Sequence, residues 1–180
     1  LSPSNVDVWD APVRLMHWAQ AVALTLAWWT GDRIGATHEY LGYLCGALLA
    51  ARIAWGRPGR RYASFAQFVR GPRPTLAYLR AALAGRTARH VGHNPLGGWM
   101  IVWLLACIGA LVVTGWLYTT DWLWGYGWLA NLHAALAWIL IASVALHVLG
   151  VLVTSWMHRE NLVAAMVTGR KRPAAGNDAP

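Results

Sequence analysis

From Leu129 to Trp156 the chain runs through 28 consecutive residues without one Asp, Glu, Lys or Arg, yet His133 and His147 lie inside that run. About 20 apolar residues in a helix span the hydrocarbon core of a bilayer. A stretch this long therefore reads as a membrane helix that carries two titratable side chains. Three more apolar segments accompany it, at about 13–30, 38–55 and 96–118. Helix starts are marked by Asp10-Ala-Pro12 before the first and by Asn94-Pro95 before the third. Hydrophobic residues make up 57% of the chain and charged ones 12%, about half the charge of a soluble domain. The expected fold is therefore an all-α integral membrane protein, a bundle of four transmembrane helices occupying residues 1–172. A tail at 173–180, rich in Ala, Gly, Asn and Pro, is expected to be disordered.

Charge placement sets the expected orientation. Of 15 basic residues, 14 are Arg, and eight of these (57, 60, 61, 70, 73, 80, 86 and 89) fall in the connection 56–95. The short connections hold only Arg33, against Asp32, Glu39 and Asp121. Under the positive-inside rule the loop 56–95 and both termini face the cytoplasm, and the short connections face outward. This clustering also argues against nucleic acid as the partner of a chain with net charge +8. Within the basic loop, Pro74 to Ala84 is expected to form a short surface helix. The outer connection near Trp116, Tyr118, Trp122, Trp124, Tyr126 and Trp128 suits an interfacial aromatic belt, with a docking surface as the alternative. The first apolar run follows Asp7, Asp10 and Pro12, and no small-residue cleavage site closes it, so a retained helix is expected there. Cys45 and Cys107 lie inside apolar runs and read as small apolar filler.

Four of the seven histidines (His17, His38, His133 and His147) fall in the apolar segments, where ionisable groups are costly and functional by default. His133 and His147 are 14 residues apart. At about 100° per residue they share one helix face within roughly 40°, separated by about 21 Å along the axis. One metal cannot bridge that distance, but two stacked cofactors can each take one imidazole. Alternating helix directions pair His38 with His133 near the outer leaflet and His17 with His147 near the inner one. Bis-imidazole ligation across bundle helices suits b-type haem, and no C-x-x-C-H motif is present for covalent attachment. Gly42 and Gly46, at i+4 and i+8 from His38, leave room for a flat macrocycle or serve close helix packing. Arg52 and Arg14 are candidates for the propionates of the inner haem, or snorkel to headgroups. His90, His93 and His158 sit at the inner boundary, where they are expected to be solvated, with a proton role beside a quinone as the alternative.

The segments Val8-Trp-Asp-Ala-Pro-Val-Arg-Leu-Met-His17-Trp18, His38-Glu-Tyr-Leu-Gly-Tyr, Gly92-His-Asn-Pro-Leu-Gly-Gly98, His133 to His147 and His158 to Gly169 together resemble the bacterial cytochrome b561 family, which includes the b-type subunits of nickel-iron hydrogenases. The resemblance covers residues 8–172 and implies a di-haem cytochrome of the bacterial inner membrane whose ligands map to His17, His38, His133 and His147. It further implies electron exchange between the quinone pool and a redox partner: a periplasmic cytochrome c, a hydrogenase or superoxide. Chemistry of the quinol:cytochrome c or superoxide:quinone type would follow, and homodimerisation stays open. The reading of a different class is a haem-poor membrane anchor or docking subunit of a larger redox complex.

Overall fold

The computed structural model describes residues 5–31, 35–56, 62–173 and 178. In chain order the elements are β1 (Val6–Asp7), α1 (Ala11–Thr30), α2 (Ala36–Trp55), α3 (Phe65–Phe68), α4 (Pro72–Leu83), α5 (Pro95–Tyr118), α6 (Gly127–Met157), α7 (Leu162–Thr168) and β2 (Arg170–Lys171). The four long helices match the four apolar segments to within two residues. Among the described residues, α5 and α6 are long and apolar enough to cross a membrane on composition alone. Arg14, His17 and Gln20 in α1, and His38, Glu39 and Arg52 in α2, interrupt those two 20-residue helices. The expectations for Asp32, Arg33, Arg57, Arg60 and Arg61, and for most of the 173–180 tail, fall outside the described residues.

The chain divides into two compact units. One comprises residues 15–53 and 103–146. Its apolar core is Cys107, Ile108 and Leu140, packed by Leu24, Leu49, Leu104, Leu111 and Val112, so α1, α2, α5 and α6 all contribute. The close approach of α2 to α5 depends on small residues: a Cβ on Gly46 would lie 3.0 Å from Val112 Cγ1, and one on Gly109 would lie 3.6 Å from Leu49 Cδ2. Between α5 and α6, Trp103 Nε1 donates to Ser143 Oγ at 2.8 Å. Trp28 and Trp138 meet edge to face at 4.8 Å. Cys45 and Cys107 are buried free thiols. The outward faces stay apolar, with Trp29 74% and Trp138 63% exposed. A soluble surface rarely carries such large contiguous apolar patches, whereas lipid requires them.

The other unit comprises residues 1–14, 54–102 and 147–180. Three helices begin here on side-chain caps, which satisfy otherwise orphaned N–H groups. Asp10 Oδ1 accepts from Val13 N at 3.0 Å, Asn94 Oδ1 from Gly97 N at 2.7 Å, and Asn161 Oδ1 from Ala164 N at 2.8 Å. Gly169 ends α7 in the left-handed region (φ 83°), where a Cβ would press on the Trp9 carbonyl. Beyond it, β2 pairs antiparallel with β1, Val6 opposite Lys171 and Asp7 opposite Arg170. The surface helix of the basic loop begins at Pro72 rather than Pro74. Pro72 takes the first helical position after Gly71, where a missing N–H costs nothing.

Candidate haem-binding site

The unit formed by residues 15–53 and 103–146 brings His38 and His133 together, with ring centroids 6.1 Å apart and planes at 81°. Each imidazole is held through Nδ1 by an oxygen of a neighbouring helix. At the end of α1 the Gly31 amide bonds back to Trp28 O at 3.1 Å rather than to Ala27 O. The Ala27 carbonyl is therefore free of its usual helical donor, and it lies 2.9 Å from His38 Nδ1. A carbonyl only accepts, so His38 carries its proton on Nδ1. On α5 the Thr114 hydroxyl donates to Ala110 O at 2.8 Å, which leaves its lone pair to accept from His133 Nδ1 at 2.9 Å. With the Thr114 proton on Ala110 O, both rings present an unprotonated Nε2, the form in which imidazole binds a metal, with the second nitrogen anchored.

The separation fits a shared iron. With metal–nitrogen bonds of ~2.0–2.1 Å and about 1.1 Å more to each ring centre, two imidazoles on opposite sides of one metal have centroids about 6 Å apart. Among the described residues no group of three or more His, Cys, Asp or Glu could hold a metal ion by itself. Two imidazoles are what a macrocycle with four nitrogens of its own asks of a protein.

Small residues shape the seat. Among the described residues a Cβ on Gly42 would meet nothing within 4 Å, so the α2 surface one turn past His38 is open to them. Gly46, by contrast, backs onto Val112. Gly115 borders His133, where a Cβ would lie 3.2 Å from Cε1. Thr114, Gly115 and the Ala27 carbonyl join the site only in three dimensions. Their one signal in the sequence is a single Thr in the otherwise apolar run Leu111-Val-Val-Thr-Gly.

The remaining site residues are distributed between the units. His17, half-buried in α1 beside the Trp18 ring at 5.0 Å, and Arg52, half-buried in the last turn of α2, belong to the same unit as His38. His147, half-buried in α6, belongs to the other unit. So does Arg14, whose guanidinium donates to the Val167 carbonyl near the end of α7, where a cation suits the helix dipole. Its Nε is buried with no hydrogen-bond partner among the described residues.

The three boundary histidines are half-buried, and two of them pack on aromatic rings. His93 lies between Trp9 (4.4 Å) and Phe68 (4.9 Å), and His90 meets Tyr78 at 5.3 Å. Trp9, Phe68 of α3 and Tyr78 of α4 supply those rings, an arrangement without a periodic sequence signal. Around them lies a polar collar. Arg89 forks onto Glu160 (Nη2–Oε1 2.6 Å, Nε–Oε2 3.1 Å) and reaches Asp178. Lys171 is 6% exposed, with Nζ 5.5 Å from the Trp9 ring centre. Burial pushes the Lys171 ammonium down to about 8, although Glu160 opposes the shift. Burial pushes the Glu160 carboxyl up, but the Arg89 hydrogen bond, the Lys171 and Arg89 charges and the Arg172 amide together leave it below its usual range. The His90 imidazole is lowered, chiefly by burial.

A sequence profile of the prokaryotic cytochrome b561 family matches residues 8–169. Two curated relatives are each described as a probable Ni/Fe-hydrogenase B-type cytochrome subunit. The one from Cupriavidus necator is 26% identical over 207 aligned residues, covering 90% of this chain and 85% of that protein. The one from Rhodobacter capsulatus is 27% identical over 214, covering 93% and 82%.

Proposed function

This chain belongs to the prokaryotic cytochrome b561 family, and from that premise we propose that it carries electrons across the bacterial inner membrane through two b haems, between the quinone pool and a partner redox enzyme. The observation that carries the proposal is the His38–His133 pair, 6.1 Å apart with both Nδ1 atoms anchored to oxygens. In this reading α1, α2, α5 and α6 form a four-helix bundle with both termini and the basic loop in the cytoplasm. His38 and His133 hold the outer haem; His17 and His147 hold the inner one.

Each haem, when bound, supplies a one-electron ferric/ferrous couple. The protein's part is to position and insulate. Ala27 O and Thr114 Oγ1 would fix the two outer imidazoles in the ligating tautomer and orient them toward the iron. Two imidazoles leave no open iron position, so the site favours electron transfer over oxygen chemistry. The apolar walls from α1, α2, α5 and α6 exclude water, so little reorganisation accompanies a change of charge. Arg52 and Arg14 are assigned to the propionates of the inner haem, a role that the buried, unpartnered Nε of Arg14 favours.

The names of the two curated relatives favour a hydrogenase-type enzyme as the partner. Such an enzyme would deliver electrons at the outer, aromatic end, and quinone would take them at the inner end. The test is spectroscopic. Protein purified from membranes is expected to give a reduced-minus-oxidised b-type band and two haems per chain, and its reduced form is expected to be reoxidised by a quinone analogue within milliseconds. A chain without that band would be a docking subunit instead.

A further inference from the structure

Helix α4, residues Pro72–Leu83, is amphipathic in a way that the rest of its unit leaves unused. At 100° per residue Leu76, Leu79 and Leu83 fall on one face within about 60°. Tyr78 lies well away from that face and meets the His90 ring at 5.3 Å, so α4 is seated on its unit by another side. The leucine face stays open, with Leu83 82% and Leu76 46% exposed.

Between this face and Trp99 at the start of α5 runs an open groove of about 300 Å³, lined by Pro72, Thr75, Leu76, Leu79 and Trp99. Its two polar groups are already engaged: the Thr75 hydroxyl donates to Gly71 O at 2.9 Å, and Trp99 Nε1 donates to Arg70 O at 2.9 Å. The groove therefore suits an occupant without hydrogen-bonding groups. Arg73 lies three residues before Leu76 and Arg80 four residues after it, so helical geometry places both cations beside the leucine face, about 10 Å apart along the axis. Both are exposed. Among the described residues neither has an acidic partner within ion-pair distance.

We infer that α4 and Trp99 form a binding site for one anionic phospholipid, with an acyl chain in the groove and the headgroup phosphate held by Arg73 and Arg80. The charge pattern selects this occupant. A cation pair beside an apolar face matches a molecule that joins an anion to a hydrocarbon chain, and the anionic cytoplasmic leaflet supplies such molecules next to a basic loop. An acidic protein surface would satisfy the arginines but leave the apolar groove unfilled. The inference rests on the proposed function only for the cytoplasmic placement of the basic loop and does not depend on how many haems the chain holds.

Native mass spectrometry of the full chain in detergent tests it, with equal amounts of phosphatidylglycerol and phosphatidylcholine carrying the same acyl chains. One retained phosphatidylglycerol is expected, preferred at least fivefold over phosphatidylcholine. The Arg73→Gln/Arg80→Gln variant is expected to bring that ratio close to one. Leu76→Ser/Leu79→Ser is expected to lower retention of both lipids. Arg159→Gln/Arg170→Gln, which removes as much charge elsewhere, is expected to change nothing. Circular dichroism confirms that each variant is folded. Equal retention of the two lipids by the unmodified chain overturns the inference. So does a preference that survives Arg73→Gln/Arg80→Gln, or one lost equally in Arg159→Gln/Arg170→Gln.

Discussion

Thr114→Val isolates the anchoring of His133 from everything else around it. Thr114 is 8% exposed, and its hydroxyl satisfies Ala110 O and accepts from His133 Nδ1. Valine keeps the shape and removes the acceptor, so the His133 N–H loses its partner in an apolar interior. An unsatisfied buried donor costs about 1–3 kcal/mol, and loss of an outer-shell partner lowers metal affinity about 10–100-fold. The two figures agree, since about 1.4 kcal/mol is a factor of ten. Haem transfer to excess apomyoglobin, followed by the b-type band, measures the affinity. One haem of the variant is expected to leave about 10–100 times more readily, while the other stays. Thr114→Ser restores the hydroxyl and is expected to restore retention. Unchanged retention in Thr114→Val, or equal loss of both haems, would refute the anchoring role.

Gly115→Ala places a methyl 3.2 Å from His133 Cε1 while favouring the helix by about 1 kcal/mol; one haem is expected to be weakened without a fall in the thermal midpoint. Lys171, the sole lysine, has a folded pKa of about 8 against an ordinary 10.5. The unfolded chain therefore binds more protons between those values, so stability rises with pH across that window, by about 3 kcal/mol. Denaturant titrations at about pH 7.5 and 10.5 are expected to show this rise in the native chain and not in Lys171→Met. Glu160 is depressed, so its contribution is present above about pH 4.5 and is lost as pH falls through its lower folded value. Glu160→Gln, which leaves the buried Arg89 without its main partner, is expected to cost about 3–5 kcal/mol at neutral pH and to flatten that acid limb.

The four long helices were legible because each is a long apolar run, free of charge in α5 and α6 and broken only by Arg14, Glu39 and Arg52 in α1 and α2, and because Asp10 and Asn94 mark two of the starts; those signals are local. His38 and His133 were legible because an ionisable group in an apolar run is costly unless it binds something. Their anchors were not. Whether Thr114 faces His133, and whether Ala27 O, which also accepts from Thr30 Oγ1 at 3.2 Å, meets His38, depends on the rotation of one helix against another. The collar was invisible for a related reason. A two-residue strand has no periodicity, and the Asp7–Arg170 contact joins positions 163 apart. At Gly46 the sequence allows both room for a macrocycle and helix packing; the residue stands against Val112 because α2 and α5 approach there.

Low-temperature electron paramagnetic resonance of the oxidised protein, with haem quantified per chain, decides whether two bis-imidazole haems are present. Two low-spin ferric signals are expected, at two haems per chain. His133→Ala is expected to remove one signal and His147→Ala the other. A single signal, a high-spin ferric site in the native chain, or loss of both signals in either variant would contradict the di-haem assignment.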